Sequence, residues 1–294
     1  MRRLLWSIAF AALACACPSA LPSARAADCR PGAIERLRAA PQGFAVYQAV
    51  KDKAFFASWI SCDEAQLGLP TAVHESVHYI TSEIDAFPLV GGGQIKRPHE
   101  VSRFFAPSRI AGQFKPSDFV TTYLQPGSAS AAGDFLYLLD ELNAYTHDLN
   151  TAVALSRSGP VAEGADEVDH RDGLAALMAF VALYVAHAQE SEPATWSGLR
   201  EPDVARTVSA LWVRAETVMA SSCGIPNFGS EDKGFIRQFC QRKPQAALAT
   251  ILGRPPACPS ACLNAAPAAT RDRVDTMPTG SVRATTRAPR AVED

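Results

Sequence analysis

His74-Glu75-Ser76-Val77-His78 is a His-Glu-x-x-His sequence inside an apolar run that reads as a helix from about Leu69 to Ile84. Residues four apart on a helix lie one above the other, with Cβ atoms about 5–6 Å apart. His74 and His78 therefore present two imidazoles to one metal ion. Glu75 is turned about 100° around the axis, so it points beside such an ion, where a general base for an attacking water belongs. Two ligands and a base from five residues is the pattern of a zinc hydrolase. The chain holds six histidines, and a chance match is expected in on the order of one in a hundred chains of this composition. Gly68 and Pro70 mark the start of the helix, and Phe87-Pro88 its end.

A catalytic zinc usually takes three protein ligands and leaves a position open. Positions 81 and 84 are Thr81 and Ile84, not glycine and histidine, so the longer metzincin pattern is absent. Asp134 caps a second long helix, through about Leu155, that contains Tyr137-Leu138-Leu139-Asp140-Glu141-Leu142-Asn143-Ala144-Tyr145. Glu141 falls in the inward stripe that Leu138, Leu142 and Tyr145 mark. A buried carboxylate needs a strong partner, and zinc is one. The plainer alternative is a carboxylate on the helix edge or paired with an arginine. Asp140, turned toward the other face, ranks second as ligand. His99 and Glu100, in a loop-like stretch, rank third, and for Cys62 a disulfide is the better reading.

In these residues the chain resembles the gluzincin class of zinc peptidases, over about residues 70 to 150. The resemblance implies that His74, His78 and Glu141 bind Zn2+ and that Glu75 activates water. One position departs from it: thermolysin-like members carry an aspartate four residues after the ligand glutamate, and here that residue is Tyr145. Zinc-bound histidines need an acceptor behind them, so Tyr145 or Asn143 has another role or a different acid supports the histidine. Tyr145, His147, His170 and Tyr79 are the candidate donors to a substrate carbonyl, Tyr145 and His147 foremost. His187 reads as a core or surface histidine.

Met1-Arg2-Arg3, the apolar run Leu4 to Ala16 and Ala24-Arg25-Ala26 read as a bacterial signal peptide over residues 1–26, which implies a periplasmic or secreted protein. The apolar run is too short for a span of about 20 residues, and no membrane span is expected after its removal. Of eight cysteines, Cys15 and Cys17 leave with the signal; Cys29, Cys62, Cys223, Cys240, Cys258 and Cys262 remain, an even set suited to disulfides. Cys29 with Cys62 ties the start of the mature chain to the segment before the metal helix, and the other four then staple the C-terminal part. A formal net charge of -2 gives no reason to expect nucleic acid as a partner.

The expected fold class is α+β, mostly helical: a small antiparallel sheet or hairpin packed on the metal helix, then a C-terminal helical bundle. Residues 27–263 are read as one metallopeptidase domain, helical from about residue 165, and 264–294, rich in Ala, Pro and Arg, as a disordered tail. Pro31 to Ala40 reads as a short helix. Phe44–Val50 and Ala54–Ser61, rich in aromatic and β-branched residues, read as a hairpin, with a helix through Ala45–Phe56 as the alternative. Strands are expected near Gln94–Lys96 and Val120–Leu124. Leu174–Ala188 reads as a buried core helix, and Asp203–Ala220, Ser230–Gln241 and Pro244–Leu252 as further helices. The functional expectation is an exported zinc peptidase that cleaves peptide or protein substrates. An extended substrate is expected to add as a strand, along the edge of the 44–61 hairpin or of the Gln94–Lys96 segment. The alternatives are an inactive zinc-binding interaction module and a structural helical domain. The oligomeric state is not legible.

Overall fold

The chain places its metal motif by burying one helix on both sides and laying the motif helix along it. In the computed structural model, which describes residues 28–62, 64, 66–159, 170–226 and 228–264, the first elements are α1 (Arg30–Leu37), α2 (Pro41–Ala49), α3 (Lys53–Ser58) and the motif helix α4 (Leu69–Ile84). The strands β1 (Ala86–Pro88) and β2 (Gln94–Lys96) follow as an antiparallel hairpin, with Phe87 opposite Ile95. Then come α5 (Asp118–Leu124), α6 (Phe135–Arg157), α7 (His170–Ser191), α8 (Pro193–Leu199), α9 (Pro202–Ser222), α10 (Asp232–Phe239), α11 (Arg242–Leu252) and α12 (Ser260–Asn264). Among the described residues the fold is mostly helical α+β with one small sheet packed on the motif helix and a helical C-terminal part. The expected signal peptide lies outside the described residues, as does the expected tail beyond Asn264.

Two apolar clusters organise these elements. The smaller joins Leu37, Val46, Phe56, Leu69, Val73 and Val77 of the first four helices to Ala144 and Leu155 of α6. The larger gathers Leu138, Leu142 and Leu149 from the other side of α6 with α7, α9, α10 and α11. Helix α6 serves both, and for that reason its sequence is apolar on more than one face. Its start is fixed by Asp134, whose carboxylate accepts the Leu136 N–H at 2.8 Å. Helix α7 is long and apolar enough to cross a membrane, but 89% of its most apolar window is buried inside the fold, which makes it the central core helix. Its Gly173 lies under the ring of Tyr145: a Cβ there would come within 2.1 Å of Cε1.

The motif helix starts at Gly68, which has φ +64°, and a Cβ there would meet the Trp59 carbonyl oxygen at 2.5 Å. Only glycine fits that turn without strain. Pro70 follows in the first turn, as its sequence position suggests.

Three expected strands are helices instead. Residues 44–61 do not form a hairpin: Pro41 opens α2, and Asp52 caps α3 by accepting the Ala54 and Phe55 N–H groups. Their aromatic residues pack sideways, Tyr47 against Phe56 at 5.0 Å between ring centres. Residues 120–124 lie in α5, capped by the Ser117 hydroxyl. The start of α10 is capped not by Ser230 but from α7, where the Asp172 carboxylate accepts the Ser230 and Glu231 N–H groups at 2.8 Å each.

Disulfides join Cys29 to Cys62, Cys223 to Cys262 and Cys240 to Cys258. The first closes the N-terminal segment just before the motif helix, and the other two staple the C-terminal helices. Disulfides of this number suit an oxidising environment.

Candidate metal centre

Helices α4 and α6 pack antiparallel. His74 meets Tyr145, with ring centres 4.6 Å apart, while one turn along α4 His78 meets Asp140 and Glu141. The two motif imidazoles converge as the spacing requires: His74 Nε2 and His78 Nε2 stand 3.1 Å apart. Glu141 Oε2 lies 3.5 Å from His74 Nε2 and 3.4 Å from His78 Nε2. Three ligand atoms about 2.0–2.1 Å from one ion in tetrahedral geometry are separated by roughly 3.3–3.4 Å. The triangle here has that size, and the three residues form a group that could hold a metal ion.

The donor set supports the same conclusion. Glu141 Oε2 is buried and makes no hydrogen bond, which is costly for a carboxylate oxygen unless a cation completes it. Burial pushes Glu141 up, but the His78 and His74 imidazoles outweigh it and hold the carboxyl down to about 2. Burial likewise pushes His78 down, but the charge of Glu141 and the hydrogen bond to Asp140 hold it well above the usual imidazole value.

Asp140 has a part that its sequence position hides. It is not turned away from the histidines: its Oδ2 stands 2.8 Å from His78 Nδ1. In the tautomer that leaves Nε2 free as a ligand, Nδ1–H donates to that carboxylate. The acid bonded to His78 therefore precedes the candidate ligand Glu141 by one residue and does not follow it by four.

Glu75 is half-buried on the adjoining face of α4. The Tyr123 and Tyr145 hydroxyls are hydrogen-bonded at 2.8 Å. Burial, reinforced by neighbouring groups, raises both phenols well above their usual value and keeps them protonated. Both tyrosines line a cleft of about 320 Å³ that also takes in Phe119, Asp118, Asp172 and Glu231. Tyr123 is the residue that sequence reasoning misses.

No protein-family model matches this chain, no curated protein sequence matches it, and no solved structure matches its fold.

The remaining candidates are placed elsewhere. His147 is buried, and its Nε2–H donates to the Pro88 carbonyl at 3.0 Å, beside a bond from Asn143 Nδ2 at 2.9 Å. Burial pushes it down to about 4, so it is neutral and ties α6 to β1. His170 pairs with Asp148 at 2.6 Å. Tyr79 packs against Phe55, and His187 against Phe105. His99 is exposed and bonded to Asp85 at 2.7 Å, and Cys62 is in its disulfide. None of these belongs to the His74, His78 and Glu141 group.

Proposed function

We propose that this chain is an exported zinc-dependent peptidase that hydrolyses peptide bonds. The observation that carries the reading is the triangle of His74 Nε2, His78 Nε2 and the unpartnered Glu141 Oε2, with Glu75 half-buried on the next face of the same helix. Two neutral imidazoles and one carboxylate are the ligand chemistry of a catalytic zinc site. The signal-like sequence of residues 1–26 and the three disulfides support an exported protein.

A zinc ion held by this set supplies Lewis-acid chemistry, polarising a carbonyl and acidifying water. Glu75 accepts the proton of the attacking water as its oxygen bonds to the substrate carbonyl carbon. The same carboxyl group then delivers that proton to the leaving nitrogen as the C–N bond breaks. Tyr145, beside His74 and held by Tyr123, donates a hydrogen bond toward the carbonyl oxygen as charge develops on it. Asp140 fixes the His78 tautomer. His147, whose Nε2–H is committed to Pro88, takes a structural part. Residues 44–61 are helical and offer no strand edge to a substrate, which leaves the Gln94–Lys96 strand.

The test is Glu75→Gln assayed on a mixed peptide library. The variant is expected to keep one zinc per chain and lose turnover by at least about 100-fold, the general-base contribution. Undiminished turnover removes Glu75 from the mechanism, and a wild-type protein that binds zinc but cleaves nothing makes the chain a binding module.

A further inference from the structure

Away from the ligand triangle, one buried cation has hydrogen-bonding capacity that the protein does not use. Arg97 follows β2, and its side chain is only 11% exposed. Its guanidinium carbon lies 6.0 Å from the centre of the Phe87 ring and 5.7 Å from that of Tyr137. Cation–π contacts of this kind engage the charge of the guanidinium but leave its five in-plane N–H donors to be satisfied by other groups. Among the described residues its Nε is buried without a hydrogen-bond partner. The nearest carboxylate, Asp85, stands 3.9 Å from Nη1 and is itself bonded to His99 at 2.7 Å. A buried charge so poorly compensated is expensive unless something else completes it.

What could complete it is set by the hollow that Arg97 lines. This space, about 310 Å³, lies between β2 and the first turns of α9, where Lys96 and Arg206 add donors; the Thr207 hydroxyl donates to the Asp203 carbonyl at 3.0 Å. The carboxylates that also line it are Glu100 and Asp203, and Asp203 is paired with Arg206 at 3.0 Å. The in-plane fork of an arginine matches two oxygens of one anion. We propose that this hollow is an oxyanion site in which Arg97 grips a carboxylate or phosphate group edge-on. The free carboxylate of a peptide is one source of the anion, and inorganic phosphate is the other. Anion binding at Arg97 needs only this guanidinium and its surroundings and does not depend on hydrolysis.

The test is titration of the 15N-labelled full chain, followed at the arginine Nε–Hε resonances, with Arg97→Lys identifying the signal. Three probes are used: inorganic phosphate, N-acetyl-dialanine with a free carboxylate, and its C-terminal amide. A saturable shift of the Arg97 signal with at least one anion and none with the amide is expected. Arg97→Gln should weaken that binding by about tenfold or more, the loss of one charge-assisted bidentate contact, whereas exposed Lys96→Ala should change it by less than about threefold. Tighter binding of the peptide acid than of phosphate identifies a peptide terminus as the ligand, and the reverse identifies a free anion. Equal, unsaturating shifts at all arginines with both anions, or binding of the amide as tight as of the acid, overturn the proposal. Triple-resonance assignment of the wild-type Arg97 Nε–Hε signal, with no saturable shift by either anion also overturning the proposal, keeps the answer intact where a variant fails to fold.

Discussion

Replacing Asp140 isolates the support behind the proposed metal ligands. Its carboxylate is not one of the three clustered groups; it accepts the His78 Nδ1–H at 2.8 Å, with both side chains largely buried. That bond fixes which nitrogen carries the proton and turns Nε2 toward His74 and Glu141. A hydrogen bond to a charged acceptor contributes about 1.5–3 kcal/mol, and about 1.4 kcal/mol is tenfold in affinity. Asp140→Ala should therefore weaken zinc binding by about 10–100-fold, in the range known for groups behind metal ligands. Asp140→Asn keeps an acceptor oxygen but loses the charge, so it should fall between the alanine variant and the wild type. Competition against a chromophoric chelator, at fixed pH and ionic strength, reads both values. The zinc affinity of Asp140→Ala equal to that of the wild type would refute the reasoning, as would a loss as large as that of a ligand variant such as His78→Ala, which would make Asp140 a ligand itself.

Two further substitutions probe the supports around the site. Tyr145→Phe should lower kcat by about 100–1,000-fold if its hydroxyl acts on the developing oxyanion, with zinc content unchanged; Tyr123→Phe, one hydrogen bond further out, should lower it less, and a kcat in Tyr145→Phe equal to wild type excludes the role. Gly68→Ala places a Cβ 2.5 Å from the Trp59 carbonyl at φ +64°, so denaturant unfolding should show a loss of about 2–4 kcal/mol; a change under about 0.5 kcal/mol shows that the turn relaxes freely.

Much of the site is written locally, and what is not written depends on how helices turn against one another. His74 and His78 share a face by helix periodicity alone, and Glu141 stands out as an acid in an inward apolar stripe. Asp140 reads as facing elsewhere because adjacent helical residues differ by about 100°, and sequence does not reveal that His78 reaches over to both of them. The aromatic residues of 44–61 suggest strands. In α2 and α3 they fill the space between short helices, and such short segments carry too few turns for their period to show. The cap signals at Pro41, Asp52 and Ser117 are present in the sequence, and weighting them above the aromatic content recovers α2, α3 and α5, and with α5 the position of Tyr123. The cap on α10 comes from Asp172, 58 residues before Ser230, and no local pattern records it. The pairing of the last four cysteines likewise depends on where α9, α10 and α12 meet.

The central claim is tested most directly by metal analysis of the purified full chain, by plasma mass spectrometry after dialysis against buffer containing trace zinc. One zinc per chain is expected in the wild type, with loss in His74→Ala, His78→Ala and Glu141→Ala and retention in Glu75→Gln. A metal-free wild type, or zinc that stays at one per chain when His74, His78 or Glu141 is removed, would contradict it.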